Sequence, residues 1–387
     1  MFLYALKMLI GDKIKYIGIV LALSFASFII SQQGAIFLGI INRTFGFITD
    51  TSQPNIWVMD PTVLYIDDVK PMKETSLYRV RGVEGVEWAE PLYKGTIQAR
   101  LHSGIFQTCI LIGIDDATLI GAPPVMLKGN VIDLRMNDAV IVDQVGARSK
   151  LASLVMQGGK EVSVPLQVGD RLELNDNRAY VAGICSVSRT FQSQPVIYTT
   201  YDRATSFVPR QRKLLSFVVA QSKPGVDLNL LCKRIEEQTG LKAYTRFGMK
   251  WLTLVYYMKY TGIFVNFGVA IAMGFIIGIA IAGQTFYNFT IDNLRYFGTF
   301  KAMGADNSLL VKMILLQALF VSAIGWGIGI GAAALFGAAT RGTELSFSMP
   351  PFLFLGSGIS ILFICLIAAY FSMNKVKKTD PAIVFKS

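Results

Sequence analysis

The side chains that most often carry out chemistry are few in this sequence and poorly spaced for it. There is one histidine, His102, and none of the four cysteines belongs to a CxxC pair. A histidine-based zinc site or a histidine-activated nucleophile therefore has almost nothing to be built from. Cys109, Cys185 and Cys232 lie in the middle of the chain, and the sequence leaves open whether two of them form a disulfide or all are buried thiols.

Two acidic pairs and one glycine-rich segment are the other candidates for a catalytic or nucleotide site. Asp67-Asp68 and Asp115-Asp116 lie near predicted turns, and adjacent residues of a strand point to opposite faces, so we interpret both pairs as solvated turn carboxylates. Gly158-Gly159-Lys160 is followed by Glu161 instead of the serine or threonine that would hold magnesium in a phosphate-binding loop. We expect no catalytic site, no metal site and no nucleotide bound by this chain.

The composition shows where the apolar residues must go. Of 387 residues, 52% are hydrophobic and only 16% are charged, whereas globular domains have about 25% charged residues. Four stretches of 27, 32, 28 and 30 residues contain no Asp, Glu, Lys or Arg: 16–42, 260–291, 313–340 and 345–374. Because a membrane-spanning helix needs about 20 apolar residues, the chain is neither a wholly soluble enzyme nor a disordered protein.

The net charge of +11 is concentrated at the ends of these apolar stretches. Residues 44–258 have a net charge of +3 and the rest of the chain has +8. Lys and Arg are retained on the cytoplasmic side of a membrane, and three basic segments fall on one side if there are four spans: the N-terminus, the segment 292–310 and the tail. The pattern favours cytoplasmic termini and argues against nucleic-acid binding.

We predict a membrane protein with four transmembrane helices and one large extracytoplasmic mixed α/β domain inserted between helices 1 and 2. The predicted segments are a cytoplasmic amphipathic elbow helix at 1–15, spans at 16–42, 259–291, 311–340 and 351–374, the inserted domain at 43–258, a cytoplasmic loop at 292–310, a short outer loop at 341–350 and a cytoplasmic tail at 375–387.

Within the inserted domain, alternating apolar residues predict several strands and one helix. The residues 249–259 are interpreted as a continuation of that helix toward the membrane. The predicted strands are 56–59, 108–114 and 139–142, with a hairpin at 168–184 around Asn175-Asp176-Asn177, and the predicted helix is 226–239.

Small residues four positions apart in the spans predict close packing of membrane helices. The pairs are Gly274/Gly278, Gly325/Gly329 and Gly327/Gly331. The spans contain no charged residue at depth, which is unlike ion-coupled transporters and proton relays. The deepest polar groups are neutral, and we expect them to form hydrogen bonds between helices: Ser31, Gln32, Gln33, Gln284 and Asn288. If the protein moves a substrate, the driving energy comes from another subunit.

The segment Asn293–Ala305 between spans two and three predicts a short helix that begins at Leu294 and is closed by Gly304. It resembles the cytoplasmic signature of the MacB/FtsX family of ABC-transporter permeases, R-x-x-E-[IY]-[GA]-x-[LM]-[KR]-A-[ILM]-G-A. The positions that fit are Gly298, Lys301, Ala302, Met303, Gly304 and Ala305. Arg295 supplies an arginine two positions after the one in the pattern, and Tyr296 stands where the family commonly has Glu.

The resemblance extends over nearly the whole chain. The N-terminal helix is similar to the family's elbow helix, Asp380-Pro381-Ala382 to its C-terminal ending, and Val168-Gly169-Asp170 to a hairpin of its external domain. Within the family, residues 69–93 look most like the DevC-type exporter branch.

What the resemblance implies is a permease subunit without its own catalytic site. It implies a separate ABC ATP-binding subunit that holds ATP and Mg, a second permease copy, and contacts with membrane lipids. The helix 294–304 would be the coupling helix of a protein in the inner (plasma) membrane. Seven residues would couple it to the ATPase: Arg295, Tyr296, Gly298, Lys301, Ala302, Met303 and Gly304. ATP-driven movement would pass through the spans to the external domain, which is called mechanotransmission. In DevC-like systems a membrane-fusion adaptor and an outer-membrane channel complete an exporter of amphiphilic, lipid-, haem- or drug-like molecules.

Two alternatives to the exporter remain open. One is an FtsX-like signalling subunit that regulates an extracytoplasmic partner without transport. The other is a membrane-anchored binding or scaffold protein without energy input. A neighbouring gene for an ATP-binding cassette protein would favour an energised machine, and a gene for a coiled-coil adaptor or a cell-wall hydrolase would separate export from signalling.

Overall fold

The computed structural model describes residues 2–101, 104–157, 160–209 and 215–377. Three features singled out in the sequence lie outside the described residues: His102, the Gly158-Gly159 step of the glycine-rich segment, and the tail beyond 377 with its Asp-Pro-Ala motif. The chain divides into two compact units, which we call the helical unit (residues 1–40 and 262–387) and the inserted domain (residues 41–261).

Helices make up nearly all of the described helical unit and part of the inserted domain. In chain order they are α1 (Phe2–Gly11), α2 (Lys13–Thr44), α3 (Gly46–Asp50), α4 (Thr75–Arg81), α5 (Gln144–Arg148), α6 (Tyr201–Phe207), α7 (Leu228–Thr239), α8 (Arg246–Tyr260), α9 (Ile263–Asp292), α10 (Leu294–Ala302), α11 (Asn307–Ala339) and α12 (Pro351–Lys377).

Four of these helices are long and apolar enough to cross a membrane. They are α2, α9, α11 and the part of α12 from Pro351 to Met373, with mean hydropathies between 2.0 and 2.5. The predicted fold class is therefore confirmed: the protein is a membrane protein with four apolar helices and a large α/β domain between the first and the second.

The strands all belong to the inserted domain. They are β1 (Ile56–Met59), β2 (Val86–Arg100), β3 (Phe106–Ile114), β4 (Val125–Lys128), β5 (Ala139–Asp143), β6 (Ser153–Gln157), β7 (Lys160–Val164), β8 (Arg171–Leu174), β9 (Asn177–Ser186), β10 (Val196–Thr200), β11 (Phe217–Ser222) and β12 (Lys242–Thr245).

One mixed sheet organises the inserted domain, in the order β12-β1-β11-β2-β3-β10-β5-β9-β4, with β8 beside β2 and β9. The long strand β2 joins its two parts, because Val86–Leu92 pairs with β11 and Tyr93–Arg100 pairs with β3. The predicted hairpin is β8–β9, and its turn residues Asn175 and Asp176 have φ values of 45° and 63°, a conformation that Asn and Asp tolerate best.

The sheet is buried on both faces. In β5 the side chains of Val140 and Val142 belong to one apolar core, while that of Ile141 belongs to another. Successive side chains of a strand point to opposite faces, so a continuously apolar strand is the expected consequence of two-sided burial.

The interpretation of residues 249–259 as an extension of the preceding helix is wrong. Helix α7 begins after Asp227, whose carboxylate accepts hydrogen bonds from the Asn229 and Leu230 amides, and it ends at Gly240 with φ 68°. The chain then forms β12 before α8 starts. A left-handed residue at this position ends a helix, so α8 is a separate element.

Candidate functional site

The short helix α10 lies between the second and third apolar helices, and one of its faces is buried in the helical unit. Phe297 is 1% exposed and belongs to the apolar core of that unit, and Leu294 and Phe300 pack against the same core. The positions i, i+3 and i+6 lie close to one side of a helix. The apolar side of α10 is therefore fixed to the bundle.

The opposite face of α10 is open to solvent. Tyr296 is 59% exposed, and Met303, directly after the helix, is 69% exposed. Residues at the spacing i, i+1, i+4, i+7 and i+8 lie on one side of a helix. Here they are Arg295, Tyr296, Thr299, Ala302 and Met303. We call these five residues the exposed face of α10. It combines a guanidinium, an aromatic ring and a thioether, which are enriched at the centres of protein interfaces.

The C-terminal end of α10 is closed by backbone hydrogen bonds around Gly304. The Gly304 N–H donates to the Lys301 carbonyl at 3.0 Å, and the Ala305 N–H donates to the Phe300 carbonyl at 2.9 Å. This pair of bonds is a Schellman motif, and it requires a left-handed residue between them. Gly304 has φ 90°, a backbone conformation that glycine adopts without strain, and the chain reverses into α11 at this position.

The N-terminal end of α10 is held by Asn293 and by an ion cluster. Asn293 is buried, and its Nδ2 donates to the Phe289 carbonyl at 2.8 Å. Next to it, Asp292 pairs with Lys15 at the start of α2, and Lys15 also pairs with Asp12 at 2.9 Å. The segment that carries α10 is thus connected to α2 as well as to α9.

Helix α1 packs on α11 through Ala5 and Leu9, which are fully buried. The Nε2 of Gln317, itself buried in α11, donates to the Ala5 carbonyl at 2.7 Å. Burial of an amide is favourable only when it finds such a partner. The predicted elbow helix is therefore part of the bundle and is joined to it by a polar contact.

We expect the two sides of α10 to respond differently to the same substitution. Phe297→Leu should lower the free energy of unfolding by about 1 kcal/mol, because the buried ring cannot be replaced without loss of packing. Tyr296→Leu should change it by less than about 0.5 kcal/mol, because the ring is mostly exposed. Thermal unfolding of the two detergent-solubilised variants compares them, and equal destabilisation would contradict the assigned faces.

The seven residues predicted for coupling do not all lie on one side of α10. Gly298 is buried and Lys301 is half-buried, whereas Arg295, Tyr296, Ala302, Met303 and Gly304 are exposed. Thr299 belongs to the exposed face and was missed. The helical period alone places it between Arg295 and Met303, so this signal was available in the sequence.

The glycine pairs with identical spacing differ in what they touch. A Cβ at Gly325 would lie 2.6 Å from the Leu23 Cβ, and one at Gly329 would lie 2.4 Å from the Ser24 carbonyl oxygen, so both glycines allow α11 to approach α2. Among the described residues, nothing lies within 4 Å of a Cβ at Gly327 or Gly331. Within one copy of the chain this pair contacts no other helix, so the packing predicted for it stays a prediction.

In α9, both predicted glycines also contact α2. A Cβ at Gly274 would lie 3.2 Å from Ile29 and Ile30 side-chain atoms, and one at Gly278 would lie 3.0 Å from the Ala26 Cβ. Small residues of this kind let helix backbones approach one another. Helix α2 is therefore packed against glycines of two other helices.

Polar contacts between the helices come from residues other than those predicted. Ser27 Oγ donates to the Trp326 carbonyl at 3.3 Å, and Trp326 Nε1 donates to Ser357 Oγ at 3.1 Å. Ser31 was expected to bond to another helix, but its hydroxyl is buried without a partner among the described residues. Tertiary packing decides which small polar residue meets an acceptor.

One of the two acidic pairs is less solvated than the sequence indicated. Asp115 is 9% exposed and accepts hydrogen bonds from the Ala117 and Thr118 amides, as a turn carboxylate does. Asp67 pairs with Lys94, which the sequence does not connect to it. The interpretation as a solvated turn carboxylate is therefore wrong for Asp115, whereas Asp67 is exposed in a turn as predicted and also forms an ion pair.

The four cysteines are buried free thiols. Burial raises the pKa of Cys232 to about 11 and that of Cys109 to about 12, because the thiolate loses its hydration. Thiols of this kind are unreactive packing residues. Among the described residues, no group of three His, Cys, Asp or Glu side chains is placed to hold a metal ion.

Comparison with known proteins identifies the C-terminal part of the chain. Residues 260–381 match the family model of the FtsX-like permease C-terminal domain. This range contains α9 to α12 and the whole exposed face of α10. These residues are therefore similar to the C-terminal part of FtsX-like permeases. None of the curated proteins compared with the chain matches it.

Two solved structures are similar to half of the chain. One is the extracellular domain of the noncanonic ABC-type transporter YknZ from Gram-positive bacteria, with 13% identity over 50% of this chain and 98% of that chain and a TM-score of 0.33. The other is the periplasmic region of MacB from Actinobacillus actinomycetemcomitans, with 12% identity over 53% of this chain and 94% of that chain and a TM-score of 0.37.

Proposed function

We propose that this chain is the membrane-spanning permease subunit of an ABC-type transporter and that α10 is its coupling helix. The observation that carries the proposal is the two-sided structure of α10. Phe297 fixes one side in the core of the helical unit, and the exposed face on the other side is built of residue types that anchor protein interfaces. A rigid helix held in this way transmits a push from a partner to the bundle.

The family match supports the same function. An FtsX-like permease domain implies an ATP-binding subunit encoded separately, which would hold ATP and Mg and carry out hydrolysis. The placement of Lys and Arg supports cytoplasmic termini and a cytoplasmic α10 in an inner membrane, where that subunit would reach it. The inserted domain would then face the outside, since it lies between the first and second spans.

The proposed mechanism needs no charged residue inside the membrane. Closure of the ATPase would displace α10, and its contacts through Phe297 and the Lys15–Asp292 pair would move α2 and α9 together. Helix α2 runs in sequence into the inserted domain and α9 follows that domain in the chain, so a movement of these helices would reach it. This is mechanotransmission, and it would explain why the spans carry only neutral polar groups.

Further features of the machine are part of the proposal. A second copy of the chain would complete the permease as a homodimer. Export of an amphiphilic, lipid-, haem- or drug-like molecule through a membrane-fusion adaptor and an outer-membrane channel would follow from the DevC-type resemblance. The FtsX-like signalling role is the alternative, and it shares α10 and the ATPase with the exporter.

The exposed face of α10 gives the direct test. The chain is co-expressed with the ATP-binding cassette protein encoded beside it, and complex formation and ATPase stimulation are measured. Tyr296→Ala and Met303→Ala should each weaken the complex about tenfold, because exposed anchors of this kind contribute 1–2 kcal/mol when they are buried by a partner. Leu335→Ala is the matched control, since this side chain is 74% exposed but lies in a span.

Two outcomes would contradict the proposed function. One is an unchanged complex with both α10 variants. The other is labelling of a cysteine at position 299 from outside the cell, because α10 would then face away from any cytoplasmic ATPase. Thr299 is exposed on α10, so this cysteine is accessible from the side on which the helix lies.

A further inference from the structure

The inserted domain contains a cavity of about 440 Å³ that no feature of the sequence indicated. Its volume is within the range of small-molecule sites, which are lined mostly by apolar side chains with a few polar groups. The residues that line it come from six separate stretches of sequence: the segment 65–71, the strand β2, Ile110 of β3, the segment 190–194, Ser216 before β11 and the helix α8.

A buried ion pair lies at the wall of this cavity. The Lys94 side chain is 6% exposed, whereas that of its partner Asp67 is 37% exposed. The Lys94 ammonium also lies 3.4 Å from the Ile66 carbonyl and 5.6 Å from the centre of the Phe47 ring, which does not line the cavity. Lys94 and Asp67 both line the cavity, but the lysine is buried and has further partners, so the carboxylate is the more accessible of the two charged groups.

Aromatic rings surround that carboxylate. Tyr65 lies 5.5 Å from Tyr257 between ring centres, and Phe191 lies 5.0 Å from Tyr257. Tyr65 is fixed by stacking on Tyr256 at 4.0 Å. Burial is the largest cause of the raised pKa of Tyr257, and the nearby Asp67 charge is the next. The Tyr257 hydroxyl therefore stays protonated and donates a hydrogen bond to Asp67. Three aromatic rings and a carboxylate thus line one space.

The segment that carries Phe191 is held in place by its own hydrogen bonds. The Gln194 N–H donates to Thr190 Oγ1 at 2.9 Å, and the Ser188 N–H donates to the Asp50 carboxylate at 2.7 Å. The Lys150 ammonium donates to the Ser193 carbonyl at 2.9 Å. This wall is therefore formed before any ligand arrives, and binding requires little ordering of the chain.

We propose that this cavity binds an organic cation, an amine or quaternary ammonium group on an apolar body, with the cationic group between Asp67 and the rings of Tyr65, Phe191 and Tyr257. Aromatic faces attract cations, and they do so more strongly when water is excluded. The more exposed member of the ion pair, Asp67, attracts a cation and repels an anion, and it gains nothing from a neutral ligand. The inference is independent of the proposed function, because it concerns only residues of the inserted domain.

The test measures binding of benzyltrimethylammonium to the full chain in detergent by isothermal titration calorimetry. Its neutral isostere neopentylbenzene and the anion phenylmethanesulfonate are the comparison ligands. We expect the cation to bind at least about tenfold more tightly than either, which is the size of one cation–π contact together with one ion pair. Equal affinity of the three ligands, or preference for the anion, would overturn the proposal.

A matched pair of variants measures how much the Asp67 carboxylate contributes to binding of the cation. Asp67→Asn alone would leave Lys94 as an unpaired buried charge and destabilise the domain. Both members of the pair therefore carry Lys94→Met, and only one also carries Asp67→Asn. We expect Lys94→Met to bind the cation more tightly than the wild type and about tenfold more tightly than the double variant. No difference between the two variants would overturn the role of Asp67.

A ring variant completes the experiment. Phe191 is 36% exposed, so Phe191→Ala should leave the fold intact while removing one ring from the cavity. The affinity for the cation should fall by about threefold or more, and that for neopentylbenzene should fall less. An equal loss for both ligands would show apolar contact alone and would overturn the cation site.

Discussion

A Gly304→Val variant is expected to lose nearly all stimulation of the partner ATPase while it still inserts and folds. The φ of 90° at Gly304 is strained for any residue with a Cβ, and a β-branched side chain is the least tolerant. The cost is about 1–3 kcal/mol, which is comparable to the combined strength of the two hydrogen bonds that close the last turn of α10. The end of α10 would unwind, and the chain would enter α11 in another direction.

The contrast with Gly304→Asn makes this expectation specific. A Cβ at position 304 would meet nothing within 4 Å, so the penalty comes from the backbone conformation and not from a clash. Asparagine tolerates the left-handed region, and Gly304→Asn should keep most of the stimulation. ATPase activity of the reconstituted complexes measures both. Equal activity of the valine and asparagine variants would show that the turn after α10 does not matter for coupling.

Gly329→Leu is expected to prevent the helical unit from folding stably, with a loss of about 4 kcal/mol or more. The new Cβ would lie 2.4 Å from the Ser24 carbonyl oxygen and 2.4 Å from the Ser27 Cβ. The first of these atoms is backbone, so no rotamer change removes the overlap and α2 itself must move. The Ser27–Trp326 hydrogen bond would be lost at the same time.

Gly331→Leu is the matched control for this prediction. It makes the same change two residues further along α11, where a Cβ has nothing within 4 Å. Its free energy of unfolding should stay within about 0.5 kcal/mol of the wild type. Thermal unfolding in detergent compares the two variants, and similar loss in both would mean that leucine in α11 is harmful for another reason than contact with α2.

The local order of apolar and polar residues was sufficient to predict the main elements. Charge-free stretches predicted four spans, because a helix long enough to cross the hydrocarbon core must be apolar along its whole length. Alternation predicted the strands at 56–59, 108–114 and 139–142, which are part or all of β1, β3 and β5. Gly304 predicted the end of α10, since helix termination depends on the backbone of a few neighbouring residues.

Contacts between distant residues were beyond the reach of the sequence. Gly329 and Gly331 are both glycines of α11, and each has another glycine four positions before it. Only the position of α2 makes Gly329 essential and leaves open space at Gly331. Likewise, Asp67 and Lys94 are brought together by the path of β2 past the segment before α4, and nothing local marks either residue as paired.

The amino-acid sequence by itself determined that this protein spans a membrane four times, carries an inserted α/β domain and presents a short helix after the second span. These properties depend on hydropathy and backbone preference, which act within one or two turns of chain. Only the tertiary structure decided which face of that helix is exposed, which glycines carry helix packing, and that a ring-lined cavity encloses Asp67. Burial and pairing are properties of the packed chain, because each requires atoms that are far away in sequence.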